Sequence, residues 1–318
     1  MYEAKRILVT GATGMLGSHL VELLLKQKAS VRIVVHEREI PPELRNKQLD
    51  LIHGDLTDKE VAKKAVKGMN HVFHLAAFTG GLGRTSLHPA STLTPNLAMD
   101  GNVLDAAKDE NVERFMYASC ACIYPNSSKD LSEEDAWKGD PPQVHASYSW
   151  SKRMGELQAI SYNKEYGLKM AIVRPSNSYG PRDNLDAQAS HVIGALILKA
   201  INKMDPFVIW GDGTPVREFI YAEDAAKGML LAMEKYCVAD PINLASGEYV
   251  TIKDLARKII KICSYNPKIS FDKDKPSGQV RRVLTSKKAS EKIRFKAETS
   301  LDEGLKKTIE WYIQNRSN

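Results

Sequence analysis

Tyr148 and Lys152 stand four residues apart in the run Tyr148-Ser149-Trp150-Ser151-Lys152, so on a helix they share a face and can point at one ligand. A free phenol, with a pKa of about 10, transfers protons poorly at neutral pH, but a neighbouring ammonium stabilises the phenolate. The pair could therefore hand a proton to a substrate oxygen and take it back. A second set lies upstream in Ala118-Ser119-Cys120-Ala121-Cys122-Ile123-Tyr124-Pro125. A thiolate at Cys122 suits proton abstraction from carbon. The alternative use of a cysteine is as a small buried apolar filler.

A third set is Gly11-Ala12-Thr13-Gly14-Met15-Leu16-Gly17. It follows an apolar run, Ile7 to Val9, and opens an amphipathic one, the context in which a glycine pattern cradles a pyrophosphate. Gly11 permits the tight turn, Gly14 lets backbone approach the phosphates, and Gly17 lets the helix lie close to the sheet. The amides of Thr13 and of Met15 and Leu16 at the helix start receive the negative charge. About twenty residues further on, a dinucleotide site places an acid on the adenosine ribose or an arginine on a 2′-phosphate. The chain has His36-Glu37-Arg38 there. His36 and Arg38 favour NADP and Glu37 favours NAD, so NADP is the expected cofactor and NAD the alternative.

These groups need a scaffold. From Arg6 to about Arg174 short apolar runs alternate with longer amphipathic ones, the pattern of a parallel sheet covered by helices. Strands are expected at Ile7 to Val9, Val31 to Val35, Leu49 to His53, His71 to Leu75, Phe115 to Ser119 and Met170 to Arg174, with helices at Met15 to Gln27, Lys59 to Val66, Asn96 to Glu110 and Tyr148 to Tyr166. After Pro175 the rhythm becomes irregular. Helices are then expected at Ser190 to Lys203, Asp224 to Tyr236, Ile252 to Cys263 and Leu301 to Asn315. The fold class is α/β: a doubly wound, Rossmann-type parallel sheet over residues 1–175, with 218–240 packing back onto it. A smaller C-terminal α/β region, 176–217 and 241–318, would bind substrate.

Composition narrows the class. With 318 residues and 43% hydrophobic content, the chain can bury a full core. Its net charge of +6 is spread along the sequence and is densest after Lys253. That suits an anionic small molecule and requires no nucleic-acid partner. Four cysteines without C-x-x-C spacing fit neither a zinc site nor a disulfide scaffold, so no metal and a cytoplasmic setting are expected. The sequence from Met1 to the first glycine leaves no room for a signal-peptide core, and no apolar run reaches transmembrane length.

Taken together, the glycine turn, Gly54-Asp55-Leu56-Thr57-Asp58, His74-Leu75-Ala76-Ala77, the Tyr148 and Lys152 pair, and Arg174-Pro175-Ser176-Asn177-Ser178-Tyr179-Gly180-Pro181 resemble the extended short-chain dehydrogenase/reductase family, or NAD-dependent epimerases/dehydratases, most of which modify nucleotide-activated sugars. The resemblance spans nearly the whole chain. It implies that Asp55 and Leu56 contact the adenine and that Ala76 and Ala77 line the cofactor cleft. Lys152 would also hold the nicotinamide ribose, Asn177 would face the sugar, and a homodimer would pack through helices of the cofactor domain.

Within that family, Cys122, the segment Ser190-His191-Val192-Ile193 and the run from Trp210 to Phe219 are similar to the GDP-L-fucose synthase branch, as is Gly80-Gly81-Leu82-Gly83. The surroundings of Cys122 are also similar to GDP-mannose 3,5-epimerases. This likeness implies a 4-keto sugar nucleotide whose C3 and C5 are inverted, with Cys122 as base and His191 as acid, followed by NADPH-dependent reduction at C4. Arg217 would pair with the diphosphate, and Lys199 and Trp210 would lie near the substrate. Two departures matter. Cys120 stands where many members carry the Ser or Thr that bonds the substrate oxygen, leaving Ser119, expected to lie toward the strand, as an alternative donor. Ala121 and Cys122 replace the Asp-Glu pair of the dehydratases, which argues against water loss. The rival readings are an epimerase with tightly held NAD(P) and no net redox change, and a non-catalytic NAD(P)-binding sensor.

Overall fold

The structure, a computed structural model, describes residues 1–45, 47–79, 87–183, 192–275 and 279–315. In chain order the first half runs β1 (Arg6–Thr10), α1 (Met15–Lys26), β2 (Ser30–Val35), a single turn α2 (Pro42–Arg45), β3 (Asp50–His53), α3 (Lys59–Val66), β4 (His71–His74), α4 (Pro89–Asp109), β5 (Arg114–Ala118), α5 (Ala146–Tyr166) and β6 (Met170–Pro175). The second half runs β7 (Asn177–Tyr179), α6 (Val192–Ile201), β8 (Phe207–Trp210), β9 (Val216–Tyr221), α7 (Ala222–Lys235), β10 (Ile242–Leu244), β11 (Tyr249–Thr251), α8 (Ile252–Ile262), β12 (Ile269–Asp272), β13 (Arg281–Arg282), α9 (Lys287–Ile293) and α10 (Leu301–Gln314).

Seven strands form one sheet in the order β10-β6-β5-β4-β1-β2-β3, and every pairing is parallel. Such a sheet must be covered on both faces, and its strands therefore read as apolar runs rather than alternating ones. One face carries Leu20, Val21 and Leu24 of α1, Met229 and Met233 of α7, and Ala289 and Ile293 of α9. The other carries Ala62 and Val66 of α3, Val103 and Leu104 of α4, and Ala159 of α5. The chain reverses direction across the sheet between β1 and β4, whose C-terminal residues Thr10 and His74 are neighbours. Ligands of doubly wound sheets bind at this switch point.

The remaining strands form a smaller region. A second sheet has the order β11-β9-β13, with β7 also paired to β9, and β12 pairs with β8. Its core is built from Ile193, Leu196 and Ile197 of α6, Leu255 and Ile259 of α8, and Leu305 and Ile309 of α10.

Two expectations need correction. Residues 241–318 are not wholly in the substrate region: β10 is the edge strand of the large sheet beside β6, and α9 packs on the same core. Three-residue strands carry too little pattern to be assigned by periodicity. Helix α4 also starts at Pro89 rather than Asn96. Pro95 reads as a breaker because it removes one ladder bond. The helix nevertheless passes through it, held by Asn96, whose side chain bonds both the amide and the carbonyl of Phe78 (2.9 and 3.0 Å).

Helix α5 is fixed to the sheet by two devices. Gly155 faces Tyr117 of β5 so closely that a Cβ there would sit 1.9 Å from the phenol oxygen. Glu156 and Arg174 form a buried two-pronged ion pair (2.9 and 2.7 Å). Burial works against the Arg174 charge, but the bonds and charge of Glu156 outweigh it, so Arg174 holds its proton more tightly than a free arginine. Breaking a buried pair by removing one partner costs about 3–5 kcal/mol. Glu156→Leu, which strands the Arg174 guanidinium, is expected to lower stability by about that amount, read as a drop in the urea midpoint with unchanged slope.

Candidate active site

Three side chains of α5 converge on carbonyls of the segment that carries the two cysteines. Ser149 Oγ donates to the Cys122 carbonyl (2.9 Å), Lys152 Nζ to that of Ala118 (2.9 Å), and the Arg153 guanidinium to that of Ile123 (3.0 and 2.8 Å). Positions i, i+3 and i+4 lie on one helix face, so a single face fixes the whole segment. Lys152 is 2% exposed, with its ammonium 4.8 Å from the centre of the Tyr117 ring. An ammonium has three donors, and the Ala118 bond engages one. Tyr148, half-buried, precedes Ser149 and lies one turn before Lys152. The expected pair is thus presented on a helix docked against the end of β5.

Cys120 and Cys122 are joined by a disulfide, which corrects the expectation of two free thiols here. Fully extended chain would place residues i and i+2 roughly 7 Å apart. Cys120 is extended (φ −160°, ψ 166°) and caps a one-turn helix at Ala121–Ile123, which brings the two Cα atoms to 5.4 Å, inside the range a disulfide spans. In this form neither sulfur carries a proton, so Cys122 has no thiolate to act as base and Cys120 no S–H to donate. Both are half-buried against Ile123, Tyr124, Leu131 and Leu284. Ser119 is buried, and its Oγ has no hydrogen-bond partner among the described residues. It is the hydroxyl beside Cys120 that is free to take one.

The glycine turn has the shape the sequence implied. Gly11 has φ +67°, and a Cβ there would come within 2.7 Å of the Ala76 amide nitrogen. A Cβ on Gly17 would lie 2.2 Å from the Gly11 carbonyl oxygen. Gly14 caps α1 without any side-chain bond and without acid in the first turn, leaving the approach to Thr13, Met15 and Leu16 clear of negative charge. Thr10 Oγ1 accepts from the amides of Leu75 and Ala76 (3.1 Å each), which places Ala76 and the following Ala77 beside the glycines. These residues fit a dinucleotide pyrophosphate. At the far end of the cleft, Asp55 accepts from the Thr57 amide (2.8 Å) and lies 3.9 Å from His36. Leu56 is buried, while His36, Glu37 and Arg38 are exposed.

Behind this wall runs a buried polar chain that the sequence reading did not assemble. Because Thr10 Oγ1 accepts two amides, its own proton goes to His74 Nδ1 (2.8 Å). His74 Nε2 then carries a hydrogen and donates to Asp100 (2.9 Å), whose other oxygen accepts from Tyr117 (2.8 Å). The chain links the end of β1 to the residue beneath Lys152.

In the second region Arg217, expected at the diphosphate, is 8% exposed and, among the described residues, bonds only a backbone carbonyl, that of Val216 (2.9 Å). Its β-sheet neighbour Arg282 was not anticipated. Alternation along β13 sends Arg281 outward to Asp130 (2.6 Å) and Arg282 inward. There Arg282 bonds the side-chain oxygen of Asn177, while its Nε has no partner among the described residues. Burial and then the charge of Arg217 push the Arg282 guanidinium down to about 10. Among the described residues no carboxylate pairs with either arginine. The adjacent pair Arg281-Arg282 in an apolar-flanked run was the available signal.

Asn177 also donates to the Glu218 carbonyl (2.6 Å). Lys199 donates to the Val208 carbonyl (2.7 Å) and lies over Trp210, which is 52% exposed rather than a buried strand residue. His191, Ser190 and the Gly80 to Gly83 run lie outside the described residues.

A doubly wound sheet with a glycine cradle at its switch point and a Tyr/Lys helix at the cleft defines an NAD(P)-dependent enzyme. The chain belongs to the NAD dependent epimerase/dehydratase family, whose sequence pattern matches residues 7–245. It is 32% identical to a GDP-L-fucose synthase of Sinorhizobium fredii over 99% of this chain and 98% of that protein. Its structure is similar to UDP-glucose 4-epimerase from Thermotoga maritima, solved with UDP-glucose (TM-score 0.87, 27% identity, 98% and 99% of the two chains). It is also similar to a GDP-L-fucose synthetase from Naegleria fowleri bound to NADP (TM-score 0.85, 26% identity, 100% and 95%). No helix among the described residues is long and apolar enough to cross a membrane.

Gly17→Ala forces a methyl into the Gly11 carbonyl. Overpacking of this kind costs about 1–3 kcal/mol, so dinucleotide affinity, followed by quenching of intrinsic fluorescence, is expected to fall on the order of tenfold or more with the circular dichroism spectrum retained.

Proposed function

We propose that this protein is a sugar-nucleotide epimerase/reductase of the GDP-L-fucose synthase kind. It takes a nucleoside-diphosphate 4-keto sugar, inverts the carbons beside the ketone and reduces C4 with NADPH. The observation that carries the reading is the clamp between α5 and the cysteine segment, which sets Cys122 against the helix that presents Tyr148 and Lys152. The 32% identity to a GDP-L-fucose synthase supports the same reading.

The ketone acidifies hydrogens on C3 and C5, and inversion needs a base on one ring face and an acid on the other. Cys122, reduced and ionised to the thiolate, is the base; His191 is the acid by its match to the synthase pattern. Tyr148 supplies the proton to the C4 oxygen, and Lys152 keeps that phenol ready to give it. Ser119, with its unpartnered hydroxyl, takes over the oxygen contact made elsewhere by the residue at position 120. NADP, when bound along Gly11 to Gly17, supplies the hydride. His36, Arg38, Asp55, Leu56, Ala76 and Ala77 complete that cleft. Arg217 and Arg282 take the diphosphate, an anion that supplies the charge these buried guanidiniums lack. Asn177, Lys199 and Trp210 border the sugar nucleotide. The enzyme acts as a cytoplasmic homodimer.

The test is incubation of the reduced protein with NADPH and a GDP-4-keto-6-deoxyhexose in deuterated water. Expected are deuterium at C3 and C5 and net loss of nicotinamide absorbance. Exchange without net consumption would replace the reading by a redox-neutral epimerase, and neither signal with any nucleoside-diphosphate 4-keto sugar would end it.

Tyr148→Phe is expected to lower the rate of reduction by roughly 10²–10⁴-fold while deuterium exchange continues. Arg217→Ala and Arg282→Ala should each raise KM for the sugar nucleotide by roughly 10–100-fold, since a hydrogen bond to a charged group contributes about 1.5–3 kcal/mol. For both arginine variants kcat stays within a few-fold of the parent, measured from initial rates.

A further inference from the structure

We infer that Cys120 and Cys122 form a reversible dithiol/disulfide site that a hydroperoxide closes and a small dithiol opens, and that closing it removes the base while leaving cofactor binding intact. The inference rests on the reading of Cys122 as the base and adds a control that the reading does not contain.

The backbone brings the two partners within bonding reach. With the bond formed, the extended backbone at Cys120 and the single turn after it hold the two Cα atoms 5.4 Å apart, inside the range a disulfide spans. The segment is fixed from outside by Ser149, Lys152 and Arg153, all of which bond to backbone carbonyls. None of these anchors uses a sulfur, so they persist in either redox state, and the pair can open and close on an unchanged frame. Both sulfurs belong to half-buried residues at the cleft, accessible to small reagents. Reaction is also selective. Cys237 donates to the Met233 carbonyl (3.1 Å), and burial pushes its thiol up to about 11. Burial likewise raises Cys263. Both remain protonated, and the thiol is not the nucleophile.

The chemistry balances within the pair. The Cys122 thiolate attacks one peroxide oxygen, breaking the O–O bond to give a sulfenic acid and, after protonation, water. The Cys120 thiol attacks that sulfur and expels the second water. Two thiols and one hydroperoxide thus become one disulfide and two waters (or a water and an alcohol), each sulfur losing one electron. In the reverse direction a dithiol attacks the disulfide, passes through a mixed disulfide and leaves as its own cyclic disulfide, returning two thiols. A disulfide in a reducing compartment is typically of this transient, redox-sensing kind.

The test uses the full-length protein treated with hydrogen peroxide and then with dithiothreitol. Thiol titration in denaturant should count two thiols after the first treatment and four after the second, the peptide holding both cysteines being two hydrogens lighter in the oxidised state. Exchange of deuterium into the 4-keto sugar should fall at least roughly 100-fold on oxidation, the scale of losing a general base, and return on reduction, while NADPH titration by fluorescence is unchanged. In Cys120→Ser no intramolecular bond forms. The treated-to-untreated exchange ratio after dithiothreitol rescue is therefore expected to change from full recovery to incomplete recovery, because the sulfenic acid at Cys122 has no resolving partner and oxidises further. Failure of the two-hydrogen loss to appear overturns the inference while leaving the base assignment standing, whereas equal exchange in both states, once the two-hydrogen loss has been seen, overturns the inference and the base assignment together. Absence of exchange in the fully reduced protein overturns the base assignment instead, and the control of it with it.

Discussion

The active segment depends on backbone carbonyls accepting from one helix face. Ala118 is the last residue of β5, and Cys122 and Ile123 lie beyond it, where the sheet no longer supplies hydrogen bonds; buried carbonyls left without donors would cost about 1–3 kcal/mol each. Ser149, Lys152 and Arg153 meet that need. The helix that bears Tyr148 and Lys152 is therefore the same one that shapes the cysteine segment. Docking is enforced from below by Gly155 against Tyr117 and by the Glu156–Arg174 pair. A change in the position of α5 would move Tyr148, Lys152 and both cysteines together.

Arg174 has a second role in this arrangement. Besides Glu156 it bonds the phenol of Tyr124 (2.9 Å) and the Glu133 carbonyl (2.9 Å), and Tyr124 donates to Asn243 of the edge strand β10 (2.6 Å). The tyrosine that ends the cysteine segment is thus tied to the large sheet at two points. Arg174 is thus accounted for by packing. The polar chain from Thr10 through His74 and Asp100 to Tyr117 plays the same part on the other side: every donor has an acceptor, so polar groups sit in the core without penalty.

Much of this was legible in the residues. The parallel sheet, its helices and the glycine turn were readable because long periodic runs and a turn with an obligatory shape leave few alternatives. Tyr148 and Lys152 were readable because helical spacing alone makes them neighbours. What was hidden depends on contacts distant in sequence. β10 and β13 are too short to show a period, and Arg282 acquires meaning only when β13 lays it beside Arg217. The helix start expected at Asn96 lies instead at Pro89, and the segment between is held by tertiary bonds from Asn96 to Phe78. The Cys120–Cys122 bond was hidden for the opposite reason: residues two apart join only where the chain turns, and that turn at Ala121 has no glycine or proline to announce it.

The two inward guanidiniums of the small sheet have a consequence for how this enzyme is held together. Arg217 and Arg282 are like charges, adjacent, Arg217 buried and Arg282 half-buried, and unbalanced by any described carboxylate, so they hold an electrostatic tension in the second region. An arriving anion relieves that tension as well as making contacts. A ligand that binds the folded but not the unfolded chain stabilises the fold, and an anion seated between these two guanidiniums would do so by serving as the counter-ion that the polypeptide omits.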